Sequence, residues 1–324
     1  MGRTGAFHPD DNGRELARLV GAIAVEDGVF ETAWRGLSVA RVSTPVPRQP
    51  VPYKPSLCII VQGQKQIFLG EKTYTYDPLH YLVVPIALPL EMQVAGATKN
   101  SPVLGLALEL DLTMLSELLL NIDDPPPALP EAGRAQPALF VSRMSSTLQD
   151  ALSRVFRLLA DPTDLRILGP PTIKEVLYRI LQGEQGGQLR NLVLRESGSH
   201  RIASLISFLN ENYDQRLTLD EMARRAGMST STLHHRFREV TSMSPLKYLK
   251  QIRLHHARTM MVDRGLSASE AGFQVGYTNP SQFSREFKRM FGLPPRRLVK
   301  GMTKVVASQT IPKQATNLPR VGAS

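Results

Sequence analysis

The stretch from Leu217 to Pro295 is nearly a repeat of itself, and it constrains the fold more than any other feature of the chain. Leu217-Thr-Leu-Asp-Glu-Met-Ala-Arg-Arg-Ala-Gly-Met228 aligns with Leu266-Ser-Ala-Ser-Glu-Ala-Gly-Phe-Gln-Val-Gly-Tyr277. Each copy opens on a capping box, Thr218-x-x-Glu221 or Ser267-x-x-Glu270, which predicts a helix start. Gly227 and Gly276 then stand where a helix stops and the chain turns. A second helix follows in each copy, with apolar residues at one shared spacing: Leu233, Phe237, Val240 and Phe283, Phe287, Met290. That spacing buries one face and leaves the other to solvent or a partner. Helix, glycine turn and helix make a helix-turn-helix, whose second helix can enter the DNA major groove. One match is weak; two at matched spacing are a specific signal.

Charge points the same way. The 324 residues carry a formal charge of +10, unevenly spread. Residues 1–199 hold 19 basic against 21 acidic residues, whereas 200–300 hold 17 against 8. A near-neutral front and a basic back imply a binding or regulatory domain joined to one that takes a polyanion. Cys58 is the only cysteine, so an internal disulfide is excluded and a reducing, cytoplasmic compartment is expected. No apolar run is long enough for a membrane span. The first amphipathic segment carries Glu15, Arg18 and Glu26 among its apolar residues, unlike a signal peptide.

Along the chain, residues 1–12 are expected to be disordered and a helix to follow over Arg14–Val25. From Gly36 to Leu110 short β-rich runs alternate with turn residues: Ser56–Val61, Gln64–Leu69, Lys72–Tyr76, His80–Val84, Leu90–Val94 and Val103–Leu110. Such a series predicts a sandwich or small barrel. Helices are expected at Leu112–Leu120, Ser145–Leu159 and Ile173–Leu181, with Pro125-Pro-Pro127 and Pro170-Pro171 as breaks. Gly183–Gly187 reads as a flexible break, Ser197-Gly198-Ser199 as the entry to the basic domain, and 301–324 as a disordered tail. The domains expected are thus 1–195, with strands over 36–110 and helices over 111–182, and 196–300.

Several motifs now carry a family resemblance. Ser244-Pro-Leu-Lys-Tyr-Leu-Lys-Gln-Ile-Arg-Leu254, Ala257-Arg258, Val275-Gly-Tyr-x-x-x-Ser-Gln-Phe-Ser-Arg-Glu-Phe-Lys288 and Gly292-x-x-Pro295 resemble the DNA-binding domain of the AraC family of bacterial transcription regulators. Pro55–Lys65, Tyr76–Val84 and Leu108–Asp111 resemble the N-terminal domain of one AraC subgroup. The resemblance implies an α+β two-domain protein: a cupin-like β-barrel with flanking helices used for dimerisation, then an all-α double helix-turn-helix. Three positions depart from the family pattern. Ser242 stands in place of the usual Gly, Gly272 in place of Ala, and Leu298-Val299 in place of Tyr-Arg.

On the first recognition helix the face opposite the apolar stripe is Ser231, His234, His235 and Arg238; on the second it is Ser281, Gln282, Arg285 and Arg289. Arg can pair with guanine O6/N7 and Gln with adenine N6/N7, while Ser suits several bases. His234, His235, Ser281, Gln282 and Arg285 match family positions that face bases. Later in each helix, Arg238 and Arg289 suit phosphate. The helix starts at Ser229–Thr230 and Asn279–Ser281 offer free N–H groups to phosphate. His234-His235 and His255-His256 are rejected as metal sites, because neighbouring helical residues diverge and no further ligands are at hand. Pro245–Val262 reads as one helix about 27 Å long, which the family geometry uses to set the readers in successive grooves about one DNA turn apart.

At the sensing end, His80 is the only histidine between Gly36 and Leu110, too few for a metal-holding cupin. Cys58 in its apolar strand is a core residue or, with a lowered pKa and access, a sensor. Trp34, Gln62 and Tyr74, with Tyr53, Gln66 and Tyr76, are candidates for an effector pocket. The reading is therefore a non-enzymatic transcription factor without a cofactor. Its partners are double-stranded promoter DNA, an unidentified small molecule or reactive species, a second copy as homodimer, and RNA polymerase as a further candidate. The alternatives are a ligand-independent regulator whose barrel only dimerises, and a small-molecule-binding or catalytic cupin tethered to DNA.

Overall fold

A computed structural model describes residues 11–122, 139–193, 198–302 and 313–314. It opens with helix α1 (Asp11–Ile23), followed by strands β1 (Gly28–Glu31), β2 (Leu37–Val42), β3 (Val46–Tyr53), β4 (Ser56–Gln62), β5 (Lys65–Leu69), β6 (Lys72–Tyr76), β7 (His80–Val84), β8 (Leu88–Val94) and β9 (Val103–Glu109). Helix α2 (Leu112–Leu120) and strand β10 (Phe140–Arg143) lead to helices α3 (Ser146–Leu158), α4 (Pro162–Leu181) and α5 (Gly186–Val193). The expected barrel is two sheets rather than one closed cylinder. Strands β10-β7-β4-β9-β2-β1 run in one sheet and β3-β8-β5-β6 in the other.

The central strand β4 shows how the layers are built. Leu57, Ile59 and Val61 join a core shared with α1, α3 and α4, while Cys58 and Ile60 point into the core between the sheets. Both faces are covered, so β4 reads as an unbroken apolar run rather than an alternating one. Each fully buried Leu or Ile contributes about 1.5–3 kcal/mol relative to exposure. Gly105 on β9 lies so close to β4 that a Cβ would come 2.9 Å from the Ile59 carbonyl oxygen.

Four expectations change. Strand β3, not foreseen, contains Pro47, Pro50 and Pro52 and lies at a sheet edge, where a missing N–H costs no ladder bond. Pro170-Pro171 does not separate two helices but sits inside α4. The carbonyls these prolines leave without a donor belong to exposed Arg166 and Ile167, open to water, while Leu165, Gly169, Ile173, Val176 and Ile180 keep one buried stripe. The Gly183–Gly187 break is narrower than expected: α4 ends at Leu181 and α5 already starts at Gly186, held by buried Leu189 and Val193. In the tail, Lys313–Gln314 form β11, parallel to β1 at Phe30 and Glu31. Most of 303–324, the Pro125-Pro-Pro127 break and residues 1–10 lie outside the described residues.

The C-terminal part is helical throughout: α6 (Gly198–Glu211), α7 (Leu219–Ala226), α8 (Thr230–Thr241), α9 (Pro245–Asp263), α10 (Ala268–Gln274), α11 (Pro280–Phe291) and α12 (Pro295–Met302). Both capping boxes form, with the Glu221 and Glu270 carboxylates accepting from the Thr218 and Ser267 N–H at 2.7 and 2.9 Å. Gly227 closes α7 in the left-handed conformation (φ 61°). Gly276 has a second reason to be glycine: a Cβ there would meet the Asp214 carbonyl oxygen at 2.4 Å. Gly272, a helix-weakening residue by propensity, lets α10 close on Phe283, whose ring would lie 3.0 Å from an added Cβ. Leu298 is buried in the core of the second unit.

Candidate nucleic-acid interface

The two recognition helices are α8 and α11. Leu233, Phe237 and Val240 are at most 1% exposed, as are Phe283 and Phe287, so each helix is fixed by its apolar stripe. The opposite faces are open. Ser231, His234, His235 and Arg238 are exposed on α8 and line one shallow concave patch with Glu239. Asn279, Ser281, Gln282, Arg285 and Arg289 are exposed on and beside α11, while Thr230 is half-buried. The candidate readers of each unit therefore share one solvent face.

Capping changes what the helix starts offer. Asn279 Oδ1 accepts from the Ser281 and Gln282 N–H at 2.9 and 3.1 Å, and the Phe283 N–H bonds the Asn279 carbonyl. Pro280 has no N–H. Of the amides expected to be free at Asn279–Ser281, that of Ser281 is therefore taken by the Asn279 side chain. At α8, Ser229 Oγ accepts from the Thr232 N–H at 3.1 Å and shares a hydrogen bond with the Thr232 hydroxyl at 2.8 Å.

Two acidic residues on these helices escaped the sequence reading. Glu239 lies 3.4 Å from His235 Nδ1 and 3.9 Å from an Arg236 guanidinium nitrogen, so the first patch contains a carboxylate. Glu286 accepts hydrogen bonds from Tyr277 Oη (2.7 Å), Lys250 Nζ (3.1 Å) and Gln282 Nε2 (3.2 Å). Burial pushes its carboxyl pKa up, but the bonds from Tyr277, Gln282 and Lys250 outweigh this and hold it below the usual range. The signal was in the sequence: both carboxylates stand four residues after a candidate reader, one helical turn away.

Helix α9 joins the units. Its 19 residues span about 28 Å at 1.5 Å per residue. Arg253 donates from Nε to the Tyr213 carbonyl (2.6 Å) and from Nη2 to that of Gln215 (2.7 Å), tying α9 to the loop before α7. His256 stacks on Tyr213 with centroids 3.8 Å apart. His255 is buried against Phe291, and burial, with Arg258 and His256 adding to it, lowers its pKa to about 3. Both histidines are thus packing residues of the junction.

The same helix meets the N-terminal sheets. Tyr248 Oη donates to the Ala87 carbonyl at 2.8 Å and accepts from Asn210 Nδ2 at 2.7 Å. Arg258 Nη1 reaches the Pro50 carbonyl on the β3 edge at 3.5 Å. Between β3–β8 and α9–α11 runs a groove of about 310 Å³, with Pro50 and Glu91 on one wall and Lys247, Lys250, His255 and Arg289 on the other.

The candidate effector residues divide: Tyr53, Tyr74 and Tyr76 join Cys58 at the inter-sheet core, and Trp34 lies at the core shared with the helices. Trp34 packs outside the sheets on α4, where an added Cβ at Gly169 would lie 2.5 Å from its ring. Gln62 Nε2 donates to the Pro102 carbonyl at 2.7 Å. Tyr74 is half-buried at the inter-sheet core that also holds Cys58. Cys58 is 5% exposed, and burial pushes its thiol pKa up, only partly offset by Ser56 and Lys65. Among the described residues no three His, Cys, Asp or Glu side chains come together as a metal site would require.

The fold and this face define a two-domain α+β protein whose helical part is a double helix-turn-helix. A family model described as AraC-type transcriptional regulator N-terminus matches residues 33–188, and one described as helix-turn-helix domain matches 222–301. The chain belongs to the AraC family of transcription regulators. It is 27% identical over 121 residues to the HTH-type transcriptional activator RhaS of Klebsiella pneumoniae (strain 342), covering 36% of this chain and 44% of RhaS. It is 25% identical over 157 residues to the virulence regulon transcriptional activator VirF of Yersinia enterocolitica, covering 48% of this chain and 58% of VirF. The matches thus span about half the length of these curated relatives. Unsaturated-fatty-acid-bound wild-type ToxT from Vibrio cholerae strain SCE256 shares the fold, with a TM-score of 0.54 at 10% identity over 86% of this chain and 98% of ToxT. No described helix is long and apolar enough to cross a membrane.

Proposed function

We propose that the chain is a sequence-specific DNA-binding transcription regulator whose N-terminal half responds to a small molecule. The observation that carries this reading is the pair of exposed recognition faces on α8 and α11, joined through one braced helix. His234, His235, Ser281, Gln282 and Arg285 read base edges, and Arg238 and Arg289 with Thr230 and Ser231 hold phosphates. Asn279 acts on this reading as the cap that orients Ser281 and Gln282. The complex forms in the cytoplasm, as a homodimer, and engages RNA polymerase at the promoter; catalysis has no part in it.

The effector acts through the contact between the sheets and α9, because Tyr248 and Arg258 tie the helix joining the readers to β3 and to the segment before β8. A ligand that favours one arrangement of that contact shifts the population presented to DNA. The buried, protonated state of Cys58 favours a non-covalent ligand over a thiol-reactive one. Gel-shift titration against the chain's own upstream DNA tests the reading. Arg285→Ala is expected to weaken specific binding by ~1–3 kcal/mol without altering the melting temperature, and unchanged affinity rejects that role. A metabolite screen by thermal shift on the full chain tests the effector, since a ligand bound to the folded state raises its melting temperature.

A further inference from the structure

We propose that Glu286 is a positioning residue that fixes the orientation of the Gln282 amide and thereby selects a base bearing an exocyclic amino group. The inference rests on α11 lying in the major groove. Glu286 has a side chain only 12% exposed, one turn beyond Gln282, and is anchored from three directions. Tyr277 holds its Oε2, while Lys250 from α9 and Gln282 share its Oε1.

A carboxylate so held can only accept hydrogen bonds, so the edge of Gln282 turned toward it is the NH2 group. Rotating the amide by half a turn would set two acceptors against each other and waste the bond. One N–H of Gln282 is therefore committed to Glu286, and the carbonyl oxygen and the second N–H remain, in a fixed order, for the exposed side. Adenine offers the complement in its N7 acceptor and N6 donor, and cytosine N4 also gives the oxygen a donor. Guanine O6 and thymine O4 would oppose oxygen to oxygen. Without the carboxylate the amide turns freely and loses this discrimination.

The test uses the full chain in selection from a randomised duplex pool, followed by competition titration. Gln282→Ala marks the position that residue reads, as the one where its preference vanishes. At that position the wild type is expected to favour adenine or cytosine over guanine and thymine roughly 5-fold or more. Glu286→Gln, which can donate as well as accept, and Glu286→Met, which does neither well, are both expected to level that preference and spare the others. Thermal melts of each variant report on folding, and a melt-competent variant of either kind decides the matter. Preference kept at that position in a folded Glu286 variant overturns the proposal, as does uniform weakening at every position, or a Gln282→Ala variant that changes none. A wild type that selects no sequence at all sinks the reading of α11 as a groove helix instead.

Discussion

The two helix-turn-helix units share a sequence plan but not a tertiary setting. In the first, Leu233, Phe237 and Val240 belong to a buried cluster that runs on through Tyr248 and Leu249 into the inter-sheet core with Ile67, Leu88 and Leu90. In the second, Phe283 and Phe287 pack with Ala257, Met261, Ala271, Val275 and Leu298 in a core of their own. The first reader is thus built into the N-terminal half, and the second is carried at the far end of α9. On the proposed function, a signal received between the sheets would reach the first unit through continuous packing, and the second through α9 and the approach of α11 to the β3 edge. The repeat encodes two similar modules; their neighbours give them different settings.

Removing the aromatic keystone of each unit is the strongest way to break this comparison. Phe237→Ala and Phe287→Ala should each cost about 3–5 kcal/mol. Hydrogen exchange should separate them: Phe237→Ala is expected to speed exchange in β5 and β8 as well as in α8, whereas Phe287→Ala speeds it only around α9–α12. Equal protection of the sheets in both variants would deny the difference.

A pH titration addresses the second unit and its junction. His255 has a folded pKa of about 3, below the ordinary value near 6.5, so the native state keeps it neutral while the unfolded chain takes up a proton. Its contribution is complete above pH 6.5 and is lost as pH falls toward 3. At pH 5 the loss is about 2 kcal/mol. Denaturant melts from pH 7 to 5 should show this slope, and His255→Leu should flatten it; an unchanged slope would place the proton elsewhere.

The bridge from the first unit to the sheets is weaker. Tyr248→Phe leaves the Ala87 carbonyl and Asn210 without that partner, at an expected cost of about 1–2 kcal/mol. Domain-resolved melting should show the N-terminal sheets and α8 unfolding less cooperatively, and a wholly unchanged melt would rule the bridge out. The smallest effect expected is a gain. Ser242 ends α8 with φ 58° and is the only non-glycine residue with positive φ among the described residues. Ser242→Gly should relieve that strain and stabilise by about 0.5–1 kcal/mol, sharpening the likeness to the second unit, where Gly292 ends α11 at φ 77°. A fall in melting temperature would contradict it.

Much of this is legible in the sequence alone. The capping boxes, the glycine turns and the strands β4–β9 follow local rules, because caps, turns and short apolar runs act over a few residues. What stayed hidden depends on distant partners. The prolines of β3 argue against a strand until the strand is known to lie at an edge. The proline pair of α4 argues for a break until a buried stripe is seen to continue past it. Gly272 counts as a helix fault until Phe283 is found against it, and the packing of Trp34 on Gly169 of α4 has no local sign. Nothing in the local pattern alone shows that the Asn279 side chain accepts from the Ser281 and Gln282 amides.

By itself the sequence determined that the chain has a β-rich front and two capped, basic helix pairs, since these rest on periodicity and on residues within a turn of one another. Only the tertiary structure decided that the sheets stay open, that the first helix pair is rooted in the sheet core, and that Lys250 of α9 reaches Glu286. Each of these turns on groups far apart in the chain meeting at a few ångströms, and no local pattern records which distant groups will meet.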